Sequence, residues 1–202
     1  MAVTFVDLAN EALDFLGASP IQSLTDASAE ARVTARALPR IFDRVLRSYP
    51  WNSAIIRLTL EAVGTASEDA LAHTFVLPDA VLRVLDVWPA DAAWRVESRL
   101  SEADGVTWQR VIRADVSGSI RIRAVRRPDD PASLDPLLSG LISAELAVAL
   151  AAKLTENTSR MATLMDFSAR LRRDAIAADA MESGGEEIVV AAASGFSLGG
   201  RV

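Results

Sequence analysis

The chain contains few side chains of the types that carry out catalysis. His73 is its single histidine, and it has no cysteine, which excludes thiol catalysis, disulfides and cysteine-ligated metals. A serine–histidine–aspartate triad would have to use His73, which lies between Ala72 and Thr74 without a nucleophile motif. We therefore interpret His73 as a surface or loop histidine. We expect no catalytic residue, no metal and no cofactor in this chain.

Carboxylate pairs leave one enzymatic alternative open. Glu61 with Glu68, and Glu97 with Glu102 and Asp104, provide the acidic groups that a two-carboxylate glycosidase needs. Solvated loop charges are the simpler interpretation. A cell-wall hydrolase therefore remains an alternative, although no glycine-rich phosphate loop accompanies these acids.

Arginines show the clearest charge pattern. One set recurs every fourth residue and ends with a close neighbour: Arg32, Arg36, Arg40, Arg44 and Arg47. A second set lies much later in the chain: Arg121, Arg123, Arg126 and Arg127. Either set can face phosphates or an acidic protein, or form a solvated face balanced by Glu30 and Asp43. The net charge of −6 argues against a general nucleic-acid binder, but contact with DNA through these arginines stays open.

The element that carries the first arginine set is a long amphipathic helix between Ser28 and Asn52. Its apolar residues recur at helical spacing and predict one buried face: Val33, Ala37, Leu38, Ile41, Phe42, Val45, Leu46 and Tyr49. Pro50 ends the helix, and Trp51 is expected to anchor the following corner in the core. Pro39 lies inside the helix, so we predict a bend near Arg36 to Pro39.

Other helices are predicted at both ends of the chain. Thr4 and Asp7 form a capping box for a first helix that ends at Gly17. Asp135 and Pro136 begin an apolar helix, which the charges at Glu145 and Lys153 mark as a buried helix and not a membrane span. A last helix is predicted from Arg160 to about Met181, with Ser159 as its cap. The early acidic residues of the N-terminus are not typical of a signal peptide.

The middle of the chain is rich in β-strand signals. Strands are predicted in six short segments: 55–60, 74–77, 81–87, 94–97, 108–113 and 119–125. The fold class we predict is α+β and mainly α. Residues 1–54 and 128–183 form an antiparallel helical bundle from an N-terminal helix pair and two C-terminal helices. Residues 55–127 form a small β-rich insertion, and residues 184–202 form an extended C-terminal arm.

The order of several short motifs resembles that of one protein family. Leu16-Gly17, Pro20-Ile21 and Leu24 precede the long helix, which closes at Pro50-Trp51-Asn52 followed by Ser53-Ala54. Later come the segments from Phe75 to Val84 (FVLPDAVLRV) and from Asp135 to Leu137 (DPL), then an alanine- and leucine-rich helix. From about Val3 to Met181, the chain is similar to the tail tubular A and head–tail adaptor proteins of short-tailed bacteriophages. Pro39 and the glycine- and valine-rich tail depart from the family pattern.

The resemblance implies a structural protein of a virion neck. Such subunits form a ring, usually twelve-fold, that sits under the portal of a DNA-filled capsid and continues its DNA channel. The implied partners are further copies of the chain, the portal protein, a downstream tail or stopper protein, and double-stranded DNA that passes through without sequence-specific binding. The ring would assemble in the bacterial cytoplasm. The particle would be a phage or a phage-like gene transfer agent.

Three contact surfaces follow as hypotheses from this resemblance. The C-terminal arm is expected to dock on the portal through the residues Glu186, Ile188, Val189, Val190, Phe196, Leu198, Arg201 and Val202. The arginines of the long helix are the candidate face between subunits, and Pro50, Trp51 and Asn52 are the signature corner. The β-rich middle is expected to face the next tail component. A hydrolase and a DNA-packaging accessory protein remain the alternatives.

Overall fold

The computed structural model describes residues 3–65, 70–101, 104–154 and 158–182, and within these ranges it is an α+β protein with four α-helices and two small antiparallel sheets. The helices are α1 (Phe5–Leu16), α2 (Ala29–Ser48), α3 (Pro136–Leu154) and α4 (Thr158–Glu182). This confirms the predicted α+β class. The predicted division into domains stays a prediction, and the predicted C-terminal arm lies outside the described residues.

Helix boundaries follow the predicted capping residues in three of four cases. The Thr4 hydroxyl accepts from the Asp7 N–H, and the Asp7 carboxylate accepts from the Thr4 N–H, so the capping box is confirmed. Ser28 caps α2 through the Ala31 N–H, and Asp135 accepts from the Leu137 N–H at the start of α3. The predicted cap at Ser159 is wrong, because α4 already includes Thr158.

Helix α3 is the buried centre of the helical part. It contacts α1, α2 and α4, and leucines and alanines fill the space between them. By length and composition alone, α3 is apolar enough to cross a membrane, but more than half of its most apolar window is buried inside this protein. The small side chains of the alanines permit the close approach of the three other helices.

Pro39 does not interrupt α2, which runs continuously from Ala29 to Ser48. The side chain of Pro39 is exposed, whereas Leu38 and Phe42 beside it are buried. The buried face of α2 is therefore close to the predicted one, although Val33, Ala37 and Tyr49 are only half-buried. The bend near Arg36 to Pro39 stays a prediction.

Seven strands form the two sheets of the described part. The strands are β1 (Ile55–Glu61), β2 (Gly64–Thr65), β3 (His73–Val76), β4 (Val81–Trp88), β5 (Trp94–Leu100), β6 (Trp108–Ala114) and β7 (Ser119–Arg126). The first sheet has the order β1-β7-β4 and the second has the order β2-β3-β6-β5. All six predicted strand segments are confirmed. One sequence interpretation is wrong: His73 is a half-buried strand residue and not a surface or loop histidine. The short strand Gly64–Thr65, which is not among the six predicted segments, pairs with β3.

The two sheets share one apolar core, and the first sheet also contacts the helices. Ile120, Ile122 and Ala124 of β7 are fully buried with Phe75 and Ile112 of the second sheet. On the opposite face of β7, Val125 near the end of the strand belongs to the helical core. Since side chains alternate along a strand, the first sheet separates two hydrophobic clusters, and its far end stays exposed at Arg121.

Candidate interaction surfaces

The signature corner joins three elements. The Trp51 ring is buried, and its Nε1–H donates to the Val45 carbonyl oxygen over 3.0 Å. The next residue, Asn52, donates its backbone N–H to Asp179 Oδ1 over 2.8 Å and its side-chain amide to the Asp179 carbonyl oxygen over 2.7 Å. Pro50 is half-buried at the end of α2. The corner therefore fixes the end of α2 and the start of β1 to the last turn of α4.

Burial at this corner changes the pKa values of two side chains, Asp179 and Tyr49. Desolvation raises the pKa of Asp179, the hydrogen bond from Asn52 opposes that shift, and the nearby charges of Glu182 and Asp135 add to it. Burial, with the charge of Asp179, also raises the pKa of Tyr49. The ring of Tyr49 lies 4.8 Å from that of Trp51, measured between centroids. The sequence marked this corner through Trp51, but gave no sign of the partner in α4.

Glu145 is the centre of an ionic network between three helices. Its carboxylate accepts from Arg44 over 2.6 Å, Arg172 over 2.9 Å and Ser168 over 3.0 Å. Burial alone would raise the pKa of Glu145, but the hydrogen bonds from Arg172 and Ser168 and the two positive charges outweigh it, so the pKa lies below its ordinary value. Glu145 therefore holds α2 and α4 to the central helix α3 as an ionised group.

This network divides the first arginine set into two parts. Arg44 is bound to Glu145, and Arg47 donates to the carbonyl oxygen of Leu82 in β4. Arg32, Arg36 and Arg40 are exposed and form no ion pair with the part of the chain that the structure describes. The candidate subunit face is thus reduced from five arginines to these three.

The second arginine set is divided in the same way. Arg127 forms a two-point ion pair with Asp43 of α2, and Arg126 pairs across the strand ladder with Val81 at the covered end of the sheet. Arg121 and Arg123 lie on the open end of the first sheet, where Arg123 bonds to Asp86 over 2.8 Å. Only two of the four residues therefore share an accessible surface.

Strand pairing adds two residues to that surface. Arg57 lies beside Arg123 and, two pairs further along, Trp88 lies beside Arg121. Arg57, Arg121 and Trp88 line a shallow hollow of about 240 Å³ together with Ile122. A hollow with two guanidinium groups and an indole ring can take an anion or a planar group. The sequence showed Arg57 and Trp88 separately, but their register partners could not be read from it.

The β5–β6 hairpin presents an exposed apolar end. Leu100 and Trp108 are cross-strand partners, and they are 45% and 69% exposed. Val106 in the turn between the strands is 76% exposed. A hollow of about 460 Å³ lies on the same sheet, and its lining is Val63, Thr74, Val76, Arg99, Leu100, Ser101, Gln109 and Val111. A tryptophan and a leucine displayed together at a hairpin end are typical of a protein contact.

Two acidic residues of the hydrolase alternative, Glu97 and Asp104, have structural partners. Glu97 lies between Arg95 and Arg113, at 3.1 and 3.3 Å. Asp104 accepts from the N–H groups of Val106 and Thr107 and from the Thr107 hydroxyl, which lowers the pKa of Asp104 to about 2. Glu68 and Glu102 lie outside the described residues. Among the residues that are described, no group of three histidine or acidic side chains is arranged to hold a metal ion.

The residues proposed for the arm, Glu186 to Val202, lie outside the described part of the chain. The described residues that precede the arm in sequence are the last turn of α4, which Asn52 holds at the signature corner. The chain matches no protein-family model and no curated protein.

Proposed function

We propose that this chain is a head–tail adaptor subunit, which forms a ring between the portal and the tail of a phage or phage-like particle and continues the DNA channel. The observation that carries the proposal is the corner at Pro50, Trp51 and Asn52. The sequence motif most characteristic of the family resemblance is also the place where α2, β1 and α4 are tied together. A ring subunit needs such a rigid junction, since each copy transmits its orientation to the next.

Within this proposal the four helices form an antiparallel bundle that builds the wall of the ring. The Glu145 network makes the bundle resistant to shear, because one half-buried carboxylate holds two helices to a third. The net charge of −6 suits a channel wall along which DNA slides, because like charge disfavours phosphate contacts. The ring would contain about twelve copies if it follows the family it resembles, and it would belong to the neck of the virion.

The two ends of the subunit are assigned to different partners. The arm, residues 184–202, follows α4 and docks on the portal. The exposed end of the β5–β6 hairpin, with Leu100 and Trp108, faces the downstream tail or stopper protein, since it is the apolar surface that the described fold leaves uncovered in the β part.

Deletion of residues 186–202 tests the first assignment. The truncated chain should fold normally and unfold at an unchanged temperature, but it should no longer be retained by immobilised portal protein. A matched control is Trp108→Ser in the full-length chain, which should retain portal binding and lose the downstream partner. Undiminished portal binding by the truncated chain would refute the role of the arm.

The hollow at Arg57, Arg121 and Trp88 favours a second candidate, a packaging accessory that contacts DNA. That function predicts retardation of duplex DNA at low salt, with a steep loss as salt increases. The Arg57→Gln/Arg121→Gln variant should then lose retardation, whereas Arg173→Gln on the exposed face of α4 should not. DNA that is not retarded by the unmodified chain at low salt would reject this candidate.

A further inference from the structure

Helix α1 has an exposed acidic face that the proposed function does not use. Asp7, Glu11 and Asp14 are all exposed and recur at intervals of four and three residues, so they share one side of the helix. The opposite side of α1 is buried against the helical core. Asp7 also closes the capping box with Thr4, and these hydrogen bonds lower the pKa of Asp7, so it carries its charge at neutral pH.

Helix α2 has the opposite charge on its exposed face. Arg32, Arg36 and Arg40 recur every fourth residue and are exposed. The two arginines further along the helix are not available, because Arg44 is bound to Glu145 and Arg47 to Leu82. The available part of the basic face is therefore limited to three positive charges, the same number as the negative charges on α1.

The two faces do not satisfy each other within one chain. Among the described residues, none of these three acids and three arginines takes part in an ion pair. Their dimensions nevertheless match. With a rise of about 1.5 Å per residue, the acidic face from Asp7 to Asp14 is about 10.5 Å long, and the basic face from Arg32 to Arg40 is about 12 Å long.

We propose that the acidic face of α1 in one copy of the chain docks on the basic face of α2 in a second copy. Both faces are present on every subunit and they differ from each other, so the contact is head-to-tail, as a closed ring requires. The inference rests on the proposed ring. It adds the acidic face of α1 as the surface that contacts the arginine face of α2 on the neighbouring subunit. Three complementary charges also direct the encounter and disfavour contacts between like flanks.

Glu11 and Arg36 form the central pair of this contact. Each is the middle residue of its face, so they oppose each other whether the two helices run parallel or antiparallel. This makes a charge exchange informative. Glu11→Arg alone places arginine against arginine, and Arg36→Glu alone places glutamate against glutamate, so each variant should associate about tenfold more weakly with itself. A mixture of the two variants restores an opposite pair at every contact of an alternating ring, because the two unaltered residues meet at one contact and the two exchanged residues meet at the next.

The chain offers a direct test of the contact because Lys153 is its single lysine. Arg36→Lys keeps the positive charge and adds an amine that a carbodiimide can join to a carboxylate in contact with it. A mixture of isotopically light and heavy Arg36→Lys chains should give cross-links between chains from the new amine to Asp7, Glu11 or Asp14, and these should decrease at about 1 M salt, where charges are screened within about 3 Å. Arg173→Lys, on the exposed face of α4, is the matched control and should not give these cross-links.

The inference is overturned if the amine introduced at position 36 reacts with the α1 acids no more often than the amine at position 173. It is also overturned if the mixture of the Glu11→Arg and Arg36→Glu variants sediments no faster than each variant alone. A third contradicting result is an Arg36→Glu variant that no longer retards DNA but associates with itself as strongly as the unmodified chain. Rings that form without these cross-links would leave the adaptor proposal intact and remove this contact. Cross-links without any portal binding would keep this contact and contradict the adaptor proposal.

Discussion

Asn52 and Asp179 lie 127 residues apart in sequence and are joined by two hydrogen bonds. One of them uses the Asp179 carboxylate and the other uses the Asp179 backbone. The pair connects the corner after α2 with the last turn of α4, so the point from which residues 183–202 continue is fixed to the junction of the helical and β parts. If the adaptor proposal is correct, force applied through the arm reaches the ring wall at this pair.

Asn52→Ala should lower the free energy of unfolding by about 1–2 kcal/mol, because the Asp179 carbonyl oxygen loses its donor in a partly buried place. Chemical denaturation at neutral pH measures the change. Asn10 makes a comparable pair of hydrogen bonds with Ile21, so Asn10→Ala serves as a reference for the size of the loss and should lower stability by a similar amount. If Asn52→Ala leaves stability unchanged, the corner is not fixed through this residue.

Because of Asp179, the free energy of unfolding should decrease as the pH rises from 3.8 through the higher pKa that this carboxyl has in the folded chain. Burial raises the pKa of Asp179 in the folded chain above its unfolded value of 3.8, so the folded state binds this proton more tightly. The stabilising contribution is complete below pH 3.8 and is lost as the pH rises through the higher folded pKa. Unfolding measured against Asp179→Asn, which cannot ionise, isolates this effect. A difference between the two proteins that does not change with pH would contradict the assignment.

Glu145→Gln should lower the free energy of unfolding by about 1–3 kcal/mol, because it removes the charge that Arg172 and Arg44 contact. Since the folded pKa of Glu145 is depressed, its contribution is present above the unfolded pKa of 4.5 and is lost as the pH falls through the lower folded pKa. The matched control is Asp166→Asn on the exposed face of α4, for which we expect a change within about 0.5 kcal/mol. Equal effects of the two substitutions would show that the network does not stabilise the fold.

Two glycines should respond in opposite directions to alanine. Gly17 ends α1 with φ of 66°, in the left-handed region, so Gly17→Ala should cost about 1–2 kcal/mol. Gly140 lies inside α3, where an added methyl group would meet no atom within 4 Å, so Gly140→Ala should add about 1 kcal/mol. Thermal unfolding of both variants checks the pair. A stabilised Gly17→Ala variant would disprove the assignment of Gly17 as the helix cap.

Local chemistry explains why the elements could be predicted from the sequence. Thr4 with Asp7, Ser28 and Asp135 act on donors only two or three residues away, so short motifs are sufficient to place the starts of three helices. The alternation of Ile120, Ile122 and Ala124 with arginines likewise identified β7 and its two faces. The start of α4 was placed two residues too late, because Ser159 was interpreted as a cap, whereas Thr158 and Ser159 both lie inside the helix.

The candidate surfaces were less predictable, because they depend on register and on distant pairing. Arg57 joins Arg121 only through the β1–β7 ladder, and a shift by one residue would place it on the other face of the sheet. Arg44 is excluded from the candidate subunit face because it is bound to Glu145, which lies 101 residues away in sequence. The spacing of Asp7, Glu11 and Asp14 is sufficient to place them on one face of α1. Which arginines of α2 could oppose that face depends on the distant ion pair that engages Arg44, so it could not be predicted from the sequence.

Electron cryomicroscopy of this chain mixed with the portal protein encoded in the same gene cluster would show whether the chain is a ring-forming adaptor. The adaptor account predicts closed rings, coaxial with the portal, in which residues 184–202 contact the portal and the β5–β6 hairpins point away from it. A chain that remains monomeric beside unoccupied portal rings would contradict the account.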